Sequence, residues 1–131
     1  MMQVIVFSDG GCKKTGEAVC GASVQDIYGK ELAAISQNIG KGTNNIAEYQ
    51  SAILGIKKAK ELGATEVQLI MDSQLVIRQL EGKYAVTKVH LQPLHKELLD
   101  LLKSFDKYYL LHVLRDFNKR ADELAGEAYG I

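Results

Sequence analysis

Apolar and polar positions along this chain change rhythm several times, and the changes mark its elements. Val4, Ile5, Val6 and Phe7 run unbroken into Ser8; a short run of mostly branched and aromatic residues predicts a buried strand over 4–8. "AVCGASVQD" (Ala18–Asp26) and "KELAAISQNI" (Lys30–Ile39) predict two more strands, joined by a tight turn at Tyr28-Gly29 into an antiparallel meander. The period then lengthens. Ile46, Ile53, Ile56 and Leu62 recur near helical spacing, while Ala47, Ser51, Ala52 and Gly55 supply a small-residue face that can lie close to a sheet. Thr43 or Asn44 is a candidate N-cap for this helix, and Gly63 falls just past its end.

"EVQLIMD" (Glu66–Asp72) predicts a fourth strand, and "SQLVIRQLEG" a short helix directly after it. Leu91–Phe105 predicts an amphipathic helix with Leu94, Leu98, Leu101 and Leu102 inward. Lys107–Arg115 predicts a fifth strand, and "NKRADELAGEAY" a closing helix. The order βββαβααβα predicts an α/β protein, a five-stranded mixed sheet with helices on both faces. Only the later strands, reached through helical crossovers, need be parallel.

Composition narrows the picture. A chain of 131 residues that is 47% hydrophobic fits one domain, 1–131, able to bury a core without staples. Lys+Arg and Asp+Glu both number 16, which argues against a strongly basic scaffold binding nucleic acid by bulk charge. Any such binding is local and shape-based. Cys12 and Cys20 are too few and too loosely spaced for a CxxC-type zinc site and are expected as reduced thiols. Asp9 interrupts any leader-like apolar region, and no run approaches the roughly 18 apolar residues of a membrane span. The expectation is a cytoplasmic monomer with no membrane contact.

Four acids occupy places where acids are unexpected. Asp9 ends the first strand, and Asp72 ends the fourth. Glu48 lies one turn into the first helix, on the close-packing face of Ala52 and Gly55; Asp122 lies beside Ala121, Leu124 and Ala125 near the start of the last helix. Strand ends that share an edge form crevices for ligands, so Asp9 and Asp72 meet there if their strands are neighbours, with Glu48 and Asp122 reaching in from helices. Clustered carboxylates repel one another, and a hard divalent cation with oxygen ligands is the natural remedy. Each acid also has a plainer use. Asp9 suits turn amides, Asp72 a helix cap, Asp122 a helix dipole, and Glu48 open solvent.

Four segments, in order, resemble type 1 ribonuclease H from first strand to last helix: "FSDGGC", "TNNIAEYQSAILGI", "MDSQLVIRQL" and "RDFNKRADELAGEA". The resemblance implies the ribonuclease H-like fold and an endoribonuclease that cuts the RNA strand of an RNA/DNA hybrid with two Mg²⁺ or Mn²⁺ ions. It implies that Asp9 bridges both ions, that Glu48 and Asp72 hold the one on the leaving-group side, and that Asp122 holds the one carrying the attacking water. That water would displace the 3′-oxygen in line, leaving 5′-phosphate and 3′-hydroxyl ends. It also implies that Asn44, Asn45 and Gln74, with backbone groups near Gly11 and Cys12, read the wide minor groove, where 2′-hydroxyls mark RNA. Asn44 and Asn45 equally suit helix caps.

The chain departs from the family pattern at three places. Many members grip the DNA strand with a basic, Trp-containing protrusion; here the stretch after Gly82 is short, the chain has no Trp, and Lys83, Lys88 and Lys96 are scattered. Weaker hybrid binding with steep salt dependence is expected. Many members carry a histidine before the final helix, whereas "LRDFNKRAD" has none; Arg115 is the candidate phosphate contact there, a salt bridge to Asp116 or another acid being its alternative. His112 falls inside the fifth strand, and His90 and His95 flank Pro93 with no ligand pattern. The Asn-Pro-Gly run common after the first Cys is replaced by "KKTGEAVCGAS". Two other functions compete. One is a catalytically weak or silent domain that binds hybrids or double-stranded RNA, which loss of an acid would favour. The other is a related exonuclease, which would carry an Asp-x-Glu pair where residue 11 is Gly.

Overall fold

The apolar run at the start does form a strand, but a longer one than its hydrophobicity predicts. In the computed structural model, which describes residues 2–129, β1 spans Gln3–Cys12. Asp9 is therefore inside the strand, not at its end. The reason lies in its two neighbours. β2 (Glu17–Asp26) pairs antiparallel along the whole stretch from Val4↔Asp26 to Cys12↔Ala18, whereas β4 (Glu66–Met71) pairs parallel only as far as Ser8↔Met71. Asp9 is held by the longer ladder, opposite Gly21, and sits one residue beyond the shorter one.

β3 (Glu31–Lys41) continues the meander antiparallel to β2, and β5 (Lys107–His112) pairs parallel to β4, giving the sheet order β3-β2-β1-β4-β5. The predicted strand to Arg115 stops at His112 because β4 offers no partner beyond Met71. The chain makes one last bond, Val113 N–H to Met71 O at 2.9 Å, and turns into a short 3-10 segment, Arg115–Phe117.

Helices cover both faces of the sheet. Successive strand residues point to opposite sides, and two neighbours on β2 show which helix lies where. Cys20 donates its thiol to Ala47 O of α1 (Asn44–Glu61), while a Cβ on Gly21 would stand 2.3 Å from Ala121 O of α4 (Lys119–Glu127). The α1 face holds the main core, with Val4, Val6, Val24, Leu69 and Met71 against Ile53 and Ile56. α2 (Gln74–Leu80) and α3 (Gln92–Lys103) complete that core; Leu98 and Leu102 are fully buried, and Leu94 and Leu101 pack at its margin. Between these helices, residues 83–91 form no regular element, as the missing protrusion predicts. No helix among the described residues is long and apolar enough to cross a membrane.

Candidate active site

The end of the β1–β4 ladder places Asp9 and Asp72 on one ledge, since the last parallel pair, Ser8↔Met71, immediately precedes both. α1 brings the third acid, and glycine decides how closely. A Cβ on Gly10 would lie 2.2 Å from Ala47 C and 2.5 Å from Glu48 N, so only glycine lets the start of α1 rest directly on β1. At that contact the Gly10 amide donates to Glu48 Oε1 at 2.5 Å. Glu48 is tethered, not solvated. Gly21 does the same for α4, opposite Asp9, and so sets the depth at which the helix carrying Asp122 docks.

Carboxylate oxygens of Asp9, Glu48 and Asp72 all lie within 4.8 Å of one another. Asp122 stands outside that group but lines the same cleft, a cavity of about 650 Å³. Crowding raises proton affinity. Burial, then the charges of Glu48 and Asp72, and then Asp122 push Asp9 up to about 9. Burial pushes Glu48 up to about 7, against the opposing pull of the Gly10 amide, and the Asp72 charge adds to the rise. Three hard oxygen donors that resist ionising together are a donor set suited to a divalent cation of the magnesium type.

The plainer uses of these acids are taken by other residues. α1 is capped by Thr43, whose Oγ1 accepts from Ile46 N–H at 3.2 Å, which leaves Asn44 and Asn45 free of capping and on the cleft wall. α2 is capped by Ser73, whose Oγ accepts from Val76 N–H at 3.3 Å, so Asp72 is not a cap. Gly11 and Cys12 line the cleft, whereas Gln74 is exposed at the first residue of α2 and is not among the lining residues. Arg115 lines the rim, with its Nη2 3.4 Å from Asp122 Oδ1, so its acid partner is Asp122 and not Asp116. No histidine lines the cleft among the described residues; His95 instead places Nε2 3.1 Å from Gln79 O. Both cysteines are free.

Two further residues escape a reading of the sequence. Asn118 is 1% exposed and donates Nδ2 to both Ser8 O (2.9 Å) and Asp72 Oδ1 (3.1 Å), tying the last helix to β1 and to an acid. An Asn before a helix suggests a cap, yet its side chain makes no cap bond here. Tyr129 closes the far wall of the cleft, with Lys13 Nζ 4.1 Å from its ring centroid. Nothing in its sequence position distinguishes it from any residue at a helix end.

Comparison with known proteins follows the same outline. A family model described as Reverse transcriptase-like matches residues 7–128. A bifunctional protein of Mycobacterium tuberculosis is 38% identical over 129 residues, 97% of this chain and 35% of that protein. The chain thus spans about a third of the length of the curated mycobacterial relatives it matches. The solved N-terminal RNase H domain of the M. tuberculosis protein superposes with a TM-score of 0.92 at 38% identity, covering 96% of this chain and 98% of that one. RNase H1 of the halophilic archaeon Halobacterium salinarum gives a TM-score of 0.93 at 34% identity, with 97% of each chain covered. LC11-RNase H1, solved in complex with an RNA/DNA hybrid, gives 0.89 at 32% identity, with 95% of each covered.

Proposed function

This chain belongs to the type 1 ribonuclease H family of the ribonuclease H-like superfamily, in a branch without the basic protrusion or the loop histidine, and from that premise we propose that it is a metal-dependent endoribonuclease that hydrolyses the RNA strand of RNA/DNA hybrids. The observation that carries this reading is the convergence of Asp9, Glu48 and Asp72 within 4.8 Å, with Asp122 on the same cleft. Residues from β1, α1 and the end of β4 have no structural need to meet as three carboxylates without a basic partner.

In this reading Asp9, Glu48, Asp72 and Asp122 would hold two Mg²⁺ or Mn²⁺ ions in the substrate complex, Asp9 serving both. Bound divalent cations supply charge neutralisation at the scissile phosphate and acidify the attacking water. The chain's own groups fix the geometry. The Gly10 amide holds one Glu48 oxygen, leaving the other for a cation, and Asn118 holds Asp72 Oδ1 from behind. Because Asp9 and Glu48 bind protons tightly when the cleft is otherwise empty, cation uptake displaces protons and strengthens with pH. Asn44, Asn45 and the backbone at Gly11 and Cys12 contact the sugar edges of the minor groove, Gln74 does so from outside the cleft proper, and Arg115 meets a phosphate. The products are 5′-phosphate and 3′-hydroxyl ends.

The test is a labelled RNA/DNA hybrid incubated with a Mg²⁺ and Mn²⁺ series, alongside double-stranded DNA and double-stranded RNA. Internal cuts confined to the hybrid's RNA strand, abolished by chelation, are expected. Binding of the hybrid without cleavage under every metal would instead establish a silent recognition domain, and trimming from the ends an exonuclease.

A further inference from the structure

Gly11 lies two residues beyond Asp9 on β1 and therefore faces the same side of the sheet. Above it hangs the Tyr129 hydroxyl, 3.4 Å from where a Gly11 Cβ would stand. Two residues of strand cover about 7 Å, of the order of one nucleotide step from the acidic centre. Among the described residues the Tyr129 hydroxyl has no hydrogen-bond partner. Burial and nearby negative groups push its proton affinity up, so it remains a donor.

The exposed Lys13 ammonium lies 4.1 Å from the ring centroid, a weak surface cation–π contact that favours this ring position. Lys13 is in turn fixed by the hairpin that joins β1 to β2, through Lys13 N–H to Glu17 O at 2.9 Å and Gly16 N–H to Lys13 O at 2.8 Å. That hairpin is bonded to the segment preceding α1, by Gly42 N–H to Gly16 O at 3.0 Å and the Cys12 thiol to Gly42 O at 3.2 Å. The wall bearing Tyr129 and the wall bearing Asn44 and Asn45 are thus braced against each other across the Gly11–Cys12 floor.

We propose that Tyr129 is a specificity-determining substrate contact: its hydroxyl hydrogen-bonds the 2′-hydroxyl of one RNA nucleotide lying over Gly11 and Cys12, and Lys13 locks the ring in place for that contact. The inference rests on the ribonuclease function proposed above. It adds a contact that separates ribose from deoxyribose, since a hydroxyl pair is lost whenever deoxyribose occupies that position.

The experiment couples a protein change to a substrate change. Tyr129→Phe keeps the ring and the cation–π contact and removes only the hydroxyl. Parent and variant are assayed on a hybrid whose RNA strand carries a single 2′-deoxy substitution, walked across the cleavage site. In the parent, one position lowers kcat/KM about three- to tenfold, the size of one neutral hydrogen bond. Tyr129→Phe shows a similar loss on the all-ribose hybrid, through KM, and no further loss at that position. Because each deoxy effect is a ratio within one protein preparation, partial misfolding of the variant does not blur it. Lys13→Met shrinks the same positional effect, and the change is read in KM. An unchanged deoxy profile in Tyr129→Phe, with robust cleavage, overturns the role of Tyr129 and leaves the nuclease standing. Absence of cleavage by the parent overturns the ribonuclease function and this inference with it.

Discussion

Replacing Asp9 by asparagine removes one charge from the acidic centre and leaves its shape nearly unchanged. With oxygens of Asp9, Glu48 and Asp72 within 4.8 Å of one another, each ionised pair repels by about 3.5 kcal/mol at an effective dielectric constant near 20. Asp9 faces two such pairs, about 7 kcal/mol, so without metal the folded protein takes up a proton instead. Holding that proton at about pH 7.5, against an ordinary value of 3.8, costs at most about 5 kcal/mol. Local relaxation and water entry lower the figure, and a gain of about 2–3 kcal/mol is expected for Asp9→Asn in chelator, seen as a melting temperature higher by roughly 5–10 °C.

The pH dependence identifies the cause. Between the ordinary Asp value of 3.8 and the raised one near 9, the native state binds more protons than the unfolded chain, so stability falls as pH rises. Glu48 contributes in the same direction between 4.5 and about 7. The advantage of Asp9→Asn therefore vanishes near pH 4 and grows at up to about 1.4 kcal/mol per pH unit above it. Saturating Mg²⁺ or Mn²⁺ should stabilise the parent and do little for the variant, which no longer cleaves. Chemical denaturation in chelator at several pH values measures all of this. A variant less stable than the parent, or a gain that stays flat with pH, would refute the electrostatic account and make Asp9 a structural residue.

Three other substitutions or conditions follow from the same geometry. Gly21→Ala sets a Cβ 2.3 Å from Ala121 O, so α4 must lift; a loss of about 3 kcal/mol or more in denaturation and a large fall in activity are expected. Asn118→Ala strips the buried Ser8 carbonyl and Asp72 of a shared donor, costing about 1–3 kcal/mol and weakening Mn²⁺ binding by calorimetry. Hybrid affinity should be low, because Lys83 and Lys96 already face Glu81 and Asp100 and few cations remain to neutralise phosphates; tight binding retained at high salt would show that another surface grips the duplex.

The periodicities of Val4–Phe7, Ile46–Ile56 and Leu94–Leu102 predict the right elements because each depends on neighbours in sequence. What they miss depends on partners far away. β1 continues through Asp9 to Cys12 because β2 runs beside it, and nothing in the residues 9–12 themselves announces a strand. Similarly, the competition between Thr43 and Asn44 for the cap is a question of one backbone angle pair and falls to Thr43. The carboxylates were visible as misplaced acids, and the family pattern gave them a common purpose. Asn118 and Tyr129 stayed hidden, since one resembles an ordinary cap and the other an ordinary helix end, and only their contacts to Ser8, Asp72 and Lys13 set them apart. Nor does a glycine declare in sequence that a helix backbone will press on it, as α1 does on Gly10.

The unequal lengths of the two ladders on β1 carry a cost for any slippage. Sliding β4 by a single residue against β1 would turn each of its side chains to the other face, swinging Asp72 away from its companions while leaving a hydrophobic strand still able to pack. Misalignment at that seam would therefore yield a protein with much of its core and none of its chemistry. Loops around the molecule can vary, but the offset between Ser8 and Met71 works as the gauge against which the spacing of the acids is set.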